Sequence, residues 1–103
     1  MPSRALWTLC ALAAVAACAG CRKPSAENGS ELYRKYCASC HIPQPGRTLS
    51  APSLAGYFDR RPRPTARQAR RVIRDGRLYM PPFRGRLSSN DIDDVIAYMK
   101  TLR

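Results

Sequence analysis

The sequence predicts an all-α fold of three main helices joined by proline- and glycine-rich loops. Three observations predict it. Apolar side chains recur at helical spacing in three stretches, each opened by a residue suited to capping. The intervals between them hold enough Pro and Gly to exclude long regular structure. No segment alternates polar and apolar residues as a half-buried strand does.

Residues 21–28 read as a polar linker running into the first helix, with Ser25 as N-cap and Glu27 in the first turn, where its charge suits the helix dipole. Gly29, Leu32, Tyr33 and Tyr36 then fall on one face, which leads directly into Cys37. Residues 42–64 contain five prolines as well as Gly46 and Gly56, and read as loop with a helical turn near Leu54 to Phe58. Thr65 caps the second helix, whose stripe is Ala66, Ala69, Val72 and Ile73, and Gly76 ends it. Pro81 and Pro82 keep residues 77–87 out of helix. Ser88 and Asp91 form a capping-box pair for the third, with Asp93 and Asp94 near its positive end. Its stripe is Ile92, Val95, Ile96 and Met99, with Tyr98 on the flank.

The first residues are not part of this fold. Arg4, an apolar run from Ala5 to Ala17 and small residues after it have the layout of a bacterial secretory signal. The run is short of the roughly 20 residues that span a bilayer. Its end looks like a lipobox, with cleavage before Cys18 or Cys21 and lipidation of that cysteine. "VAAC" has the better branched position and "CAGC" the better small residue before the cut; the reading leans to Cys18. Cys10 leaves with the signal. Residues 1–20 are thus assigned to export and 29–103 to a single domain. A mature chain of about 83–86 residues is near the size at which one core is marginal, and a bound apolar cofactor would add to it.

The chain holds 18 Lys+Arg against 7 Asp+Glu, a formal charge of +11. That field favours acidic proteins or anionic lipid heads. Export argues against nucleic acid as a partner.

Chemistry concentrates in "CASCH", Cys37 to His41. A redox dithiol belongs to a βαβ pattern that the chain lacks. A disulfide between Cys37 and Cys40 closes a very small loop and leaves His41 unused. Structural zinc needs a second ligand pair that is missing. Covalent haem uses every residue: two thiols form thioethers with the porphyrin vinyl groups, and the adjacent imidazole lies under the iron. His41 is the sole histidine. For the opposite face a Met thioether is the available ligand, and it raises the potential. Met80, held in "LYMPPF" by two prolines, suits that place; Met99 lies on an apolar stripe and suits the core.

"CASCH", "APSLAG", "MPPF" and "IDDVIAYMKTL" together resemble the class I c-type cytochromes in their small bacterial form, over residues 26–102. The resemblance implies a small cytochrome c fold around one covalently bound haem c. It implies that Gly29 and Tyr33, eight and four residues before Cys37, pack against an aromatic of the last helix, here Tyr98. It also implies a loop proline, Pro52, whose carbonyl accepts from the free ring N–H of His41. The interval from His41 to Met80 is short and Arg-rich, and leaves Arg47, Tyr57 and Arg60 as the candidates for the haem propionates.

The function implied is single-electron transfer by an exported cytochrome on the periplasmic side of a bacterial membrane, anchored there by lipid. No acid–base or nucleophile constellation stands beside the haem motif, so the chain alone is not read as an enzyme. Its partners are redox proteins, acidic ones if charge decides. The arginines from Arg60 to Arg77 read either as a solvated face or as a docking surface. Two alternatives stay open: a haem sensor with a labile Met80, and an electron-transfer subunit of a larger dehydrogenase or oxidase.

Overall fold

The computed structural model describes residues 22–42 and 51–103; Cys10, Cys18, Cys21 and Arg47 lie outside the described residues. Among the described residues, four helical segments and one 3-10 turn appear in chain order. Helix α1 is Ala26–Tyr36, α2 is the single turn Ala38–His41, the 3-10 turn is Tyr57–Asp59, α3 is Ala66–Asp75 and α4 is Ser89–Met99. The first helix therefore starts three residues before the domain boundary expected at 29.

Each long helix begins where its side-chain chemistry predicts. Ser25 Oγ accepts from the Asn28 N–H at 3.1 Å. Thr65 and Gln68 form a reciprocal capping box, with bonds of 2.8 and 3.1 Å. Ser88 and Asp91 form a second one, at 3.0 and 3.1 Å. Each cap satisfies N–H groups that would otherwise lack a helical partner, for about 1 kcal/mol apiece.

The central contact is the crossing of α1 and α4. Gly29 faces the α4 backbone so closely that a Cβ there would lie 1.9 Å from the Asp94 carbonyl oxygen. Beside it the Tyr33 and Tyr98 rings meet edge to face at 5.2 Å and 63°. A glycine permits the approach and the rings fill the space next to it. Burial pushes the Tyr33 hydroxyl up to about 12, with smaller contributions from Cys37 and Tyr98. The core comprises Tyr33, Ala69, Ile73, Phe83, Leu87, Ile92, Val95, Ile96 and Met99.

Asp94 takes a place that sequence periodicity does not assign to it. It is fully buried. Its carboxylate accepts from the Ser25 N–H at 2.8 Å, from Asn28 Nδ2 at 2.7 Å and from Arg22 at 3.0 Å. The expectation placed Asp94 near the positive end of its own helix; instead it anchors the start of α1 and the chain before it. Asp93 turns the other way and pairs with Arg70 at 2.7 Å, joining α3 to α4.

Candidate functional site

Cys37 ends α1, its N–H bonded to the Tyr33 carbonyl at 2.9 Å. The backbone then makes one further turn. The His41 and Ile42 N–H groups donate to the carbonyls of Cys37 and Ala38 at 3.0 and 3.1 Å. That turn carries Cys37, Cys40 and His41 together. Cys37 is a half-buried free thiol. Burial pushes the Cys37 thiol up to about 11, which keeps it protonated at neutral pH. Cys40 is exposed, with the Ser39 hydroxyl 3.9 Å from its sulfur.

A second segment supports the imidazole. His41 Nδ1 lies 2.8 Å from the Pro52 carbonyl oxygen. A carbonyl only accepts, so Nδ1 carries a hydrogen, and in the neutral ring Nε2 keeps its lone pair. The loop behind Pro52 is itself pinned. Arg60 donates to the Ser53 carbonyl at 2.7 Å, and the Gly56 N–H donates to the Leu102 carbonyl at 3.1 Å. Arg60 also lies 5.0 Å over the Tyr57 ring, which packs on Phe58. Two of the three propionate candidates, Tyr57 and Arg60, thus hold the Pro52 loop. Leu54, Tyr57, Phe58, Cys37 and Met80 are all partly buried against the core.

Met80 stands on a third segment, closed at both ends onto α3. The Phe83 and Arg84 N–H groups donate to the carbonyls of Ile73 and Arg74 at 3.0 and 3.2 Å. Within this loop Arg77 and Met80 exchange backbone bonds of 3.1 and 2.9 Å. Gly76, at φ 75°, lies so near that a Cβ would stand 2.6 Å from the Met80 carbonyl oxygen. Met99, by contrast, is 4% exposed and belongs to the core.

The residue types present suit covalent haem: two cysteines and a histidine at one turn, an imidazole whose Nδ1 is tied to Pro52, and a thioether on a braced loop. Among the described residues, no three His, Cys, Asp or Glu side chains gather as a metal-ion site. The hydrophobic loop tip formed by Leu78 and Tyr79 was not singled out from sequence; its signal is two large apolar residues beside Arg77 in a turn that excludes them from a helical stripe.

Comparison with known proteins gives the family. Residues 24–99 match the family model described as cytochrome c oxidase, cbb3-type, subunit III. The chain belongs to the class I c-type cytochromes. This cytochrome is 32% identical to cytochrome c6 of Limnospira maxima over 76 residues, which covers 69% of the chain and 85% of the relative. It is 32% identical to cytochrome c6 of Bumilleriopsis filiformis, over 71% of the chain and 86% of the relative. Cytochrome c6 of Nostoc sp. matches at 32% over 70% of the chain, which spans 66% of that protein. Among solved structures, cytochrome c6 of the diatom Phaeodactylum tricornutum superposes with a TM-score of 0.58 at 27% identity, covering 73% of this chain and 90% of the other. The cytochrome is a monohaem electron carrier with one covalently bound haem c, and its partners are redox proteins. The sensor and complex-subunit readings are not favoured by these relatives.

Proposed function

We propose that Cys37 and Cys40 hold the haem c through thioethers, that His41 and Met80 are the axial ligands of its iron, and that the Pro52 carbonyl orients His41. The observation that carries this reading is the 2.8 Å contact from His41 Nδ1 to Pro52 O on the turn that holds both cysteines. When bound, the haem supplies a one-electron Fe(III)/Fe(II) couple whose potential a thioether ligand raises. Pro52 fixes the tautomer, so Nε2 faces outward as a donor, and the hydrogen bond increases its basicity. Pro81, Pro82 and Gly76 restrict the backbone on both sides of Met80, so its sulfur position does not depend on iron alone. Leu54, Tyr57 and Phe58, which follow Pro52 in the chain, pack partly buried against the core.

The same reading places the cytochrome on the exported side of a bacterial membrane, lipidated at Cys18 or Cys21. The secretory layout of the sequence supports this, and among the described residues no helix is long and apolar enough to cross a membrane. Acidic redox partners fit the +11 charge. The test is a pyridine haemochrome spectrum with an intact-protein mass on material matured in a periplasm. A c-type spectrum and the mass of one haem are expected. Cys37→Ala and Cys40→Ala should each lose one thioether, and a spectrum unaffected by both would reject the attachment sites.

A further inference from the structure

The chain that enters α1 is tied to α4 at three points. The Asp94 carboxylate accepts from Arg22 at 3.0 Å, from the Ser25 N–H at 2.8 Å and from Asn28 Nδ2 at 2.7 Å. Asp94 is fully buried, so these ties reach into the interior rather than across a wet surface. Only Lys23 and Pro24 separate the tie at Arg22 from the tie at Ser25. Their backbone has little freedom: the proline ring fixes its own φ and disfavours helical geometry at the residue before it.

Hydrogen bonding alone does not call for Arg22. Ser25 donates to Oδ1 and Asn28 to Oδ2, so each carboxylate oxygen has a partner without it. What sets Arg22 apart is its place in the chain. Cys21 is its neighbour, and Cys18 lies four positions before it. Four extended residues span at most about 14 Å, whereas a chain held first at Ala26 would leave eight residues and about 28 Å free from Cys18. The tie therefore halves the longest tether between the domain and an acylated cysteine. Charge does not drive this contact, since Arg22 and the exposed Lys23 are balanced by Asp94 and by Glu27 in the first turn of α1. The short tether does.

We propose that the Arg22–Asp94 pair is a mount, which fixes the orientation of the cytochrome on the bilayer that takes its acyl chains, with the start of α1 toward the lipid. This rests on lipidation at Cys18 or Cys21. The cysteine turn begins at the other end of α1, a helix of 11 residues and so about 16 Å long. The mount shares no residue with the haem site. It holds the CxxCH turn at a set reach from the lipid and keeps it from swinging on a loose tether. A carrier held in this way fits a redox protein of the same membrane, with its centre at a matching height. A pair that served the fold alone would raise the melting temperature and leave orientation unchanged.

The test uses the full chain with its haem, matured in a bacterial periplasm and reconstituted in a supported bilayer of phosphatidylglycerol and phosphatidylethanolamine. Polarised absorption of the haem reads orientation, and neutron reflectometry on the same bilayer reads the thickness of the protein layer. Wild type is expected to give a dichroic haem band and a thin layer. A (Gly-Ser)4 insertion between Cys21 and Arg22 keeps the pair but lengthens the tether. It should abolish the dichroism and thicken the layer at an unchanged melting temperature. Arg22→Met should lose the dichroism as well, while Asp94 keeps its other two donors and the haem spectrum stays that of wild type. Arg22→Lys should restore order, because an ammonium can also reach the carboxylate. Wild type and both disruptive variants alike in dichroism and in thickness would overturn the mount, as would order lost on insertion but kept in Arg22→Met. Intact-protein mass separates the two levels of the reading: acyl chains present with a disordered wild type rejects the mount alone, and acyl chains absent rejects lipidation and the mount together.

Discussion

At the scale of single residues, two positions decide how α1 meets α4. Gly29 admits no side chain, because a Cβ would overlap the Asp94 carbonyl at 1.9 Å. Gly29→Ala forces α1 and α4 apart and should cost about 3 kcal/mol, at the upper end of overpacking effects, in urea unfolding of the haem protein. Asp94 is held by the opposite means. Burial pushes its carboxyl up, but the bonds from Ser25, Asn28 and Arg22 outweigh burial and hold it below the usual carboxylate range. A depressed carboxyl adds stability above its unfolded pKa of about 3.9, and that stability is lost as pH falls through the folded value. Melting temperature should therefore drop on acidification below about pH 4 in wild type. Asp94→Asn should melt lower at pH 7 and show a shallower acid slope. The sequence shows Asp94 only as an acidic residue early in a helix. Its spacing of four from Tyr98 places it on the face toward Gly29, but a buried carboxylate becomes recognisable only once its three donors arrive from the other end of the chain.

At the scale of elements, capping and turn chemistry carried most of the information. Ser25, Thr65 and Ser88 each start a helix, because a short oxygen-bearing side chain satisfies amide groups that only a helix start leaves open. The break at Cys37 between α1 and α2 was not visible, since "KYCASCH" continues the helical pattern without Pro or Gly. Gly76 shows why such local rules reach the site. It is both the stop signal of α3 and the residue on which the Met80 loop rests. Gly76→Ala combines a positive φ with a Cβ at 2.6 Å from the Met80 carbonyl, so it should displace the loop rather than only shorten the helix. The expected result is a weakened Met–iron band together with a lower midpoint potential. Thr65→Ala, which removes a cap distant from that loop, should cost about 1 kcal/mol of stability and leave the potential unchanged.

At the scale of the whole molecule, a small domain with a modest core gains order from what it binds and from an Arg-rich surface partly committed to its own structure. Arg60 braces the Pro52 loop, Arg70 joins α3 to α4 and Arg22 closes over Asp94. Composition alone could not separate these from arginines open to a partner, because charge counts carry no geometry. The remaining field predicts electron exchange with a carboxylate-coated electrode that slows as salt rises, since screening shortens the reach of exposed charge to about 8 Å at 0.15 M. Haem c chemistry was legible from "CASCH" because so few residue types suit it. Ligation by Met80 is the claim on which potential and loop design both depend. The direct measurement is the long-wavelength Fe–S(Met) absorption of oxidised protein, recorded for wild type, Met80→Ala and Met99→Leu. The account predicts the band in wild type and in Met99→Leu, and its complete loss in Met80→Ala; a band that survives in Met80→Ala would contradict it.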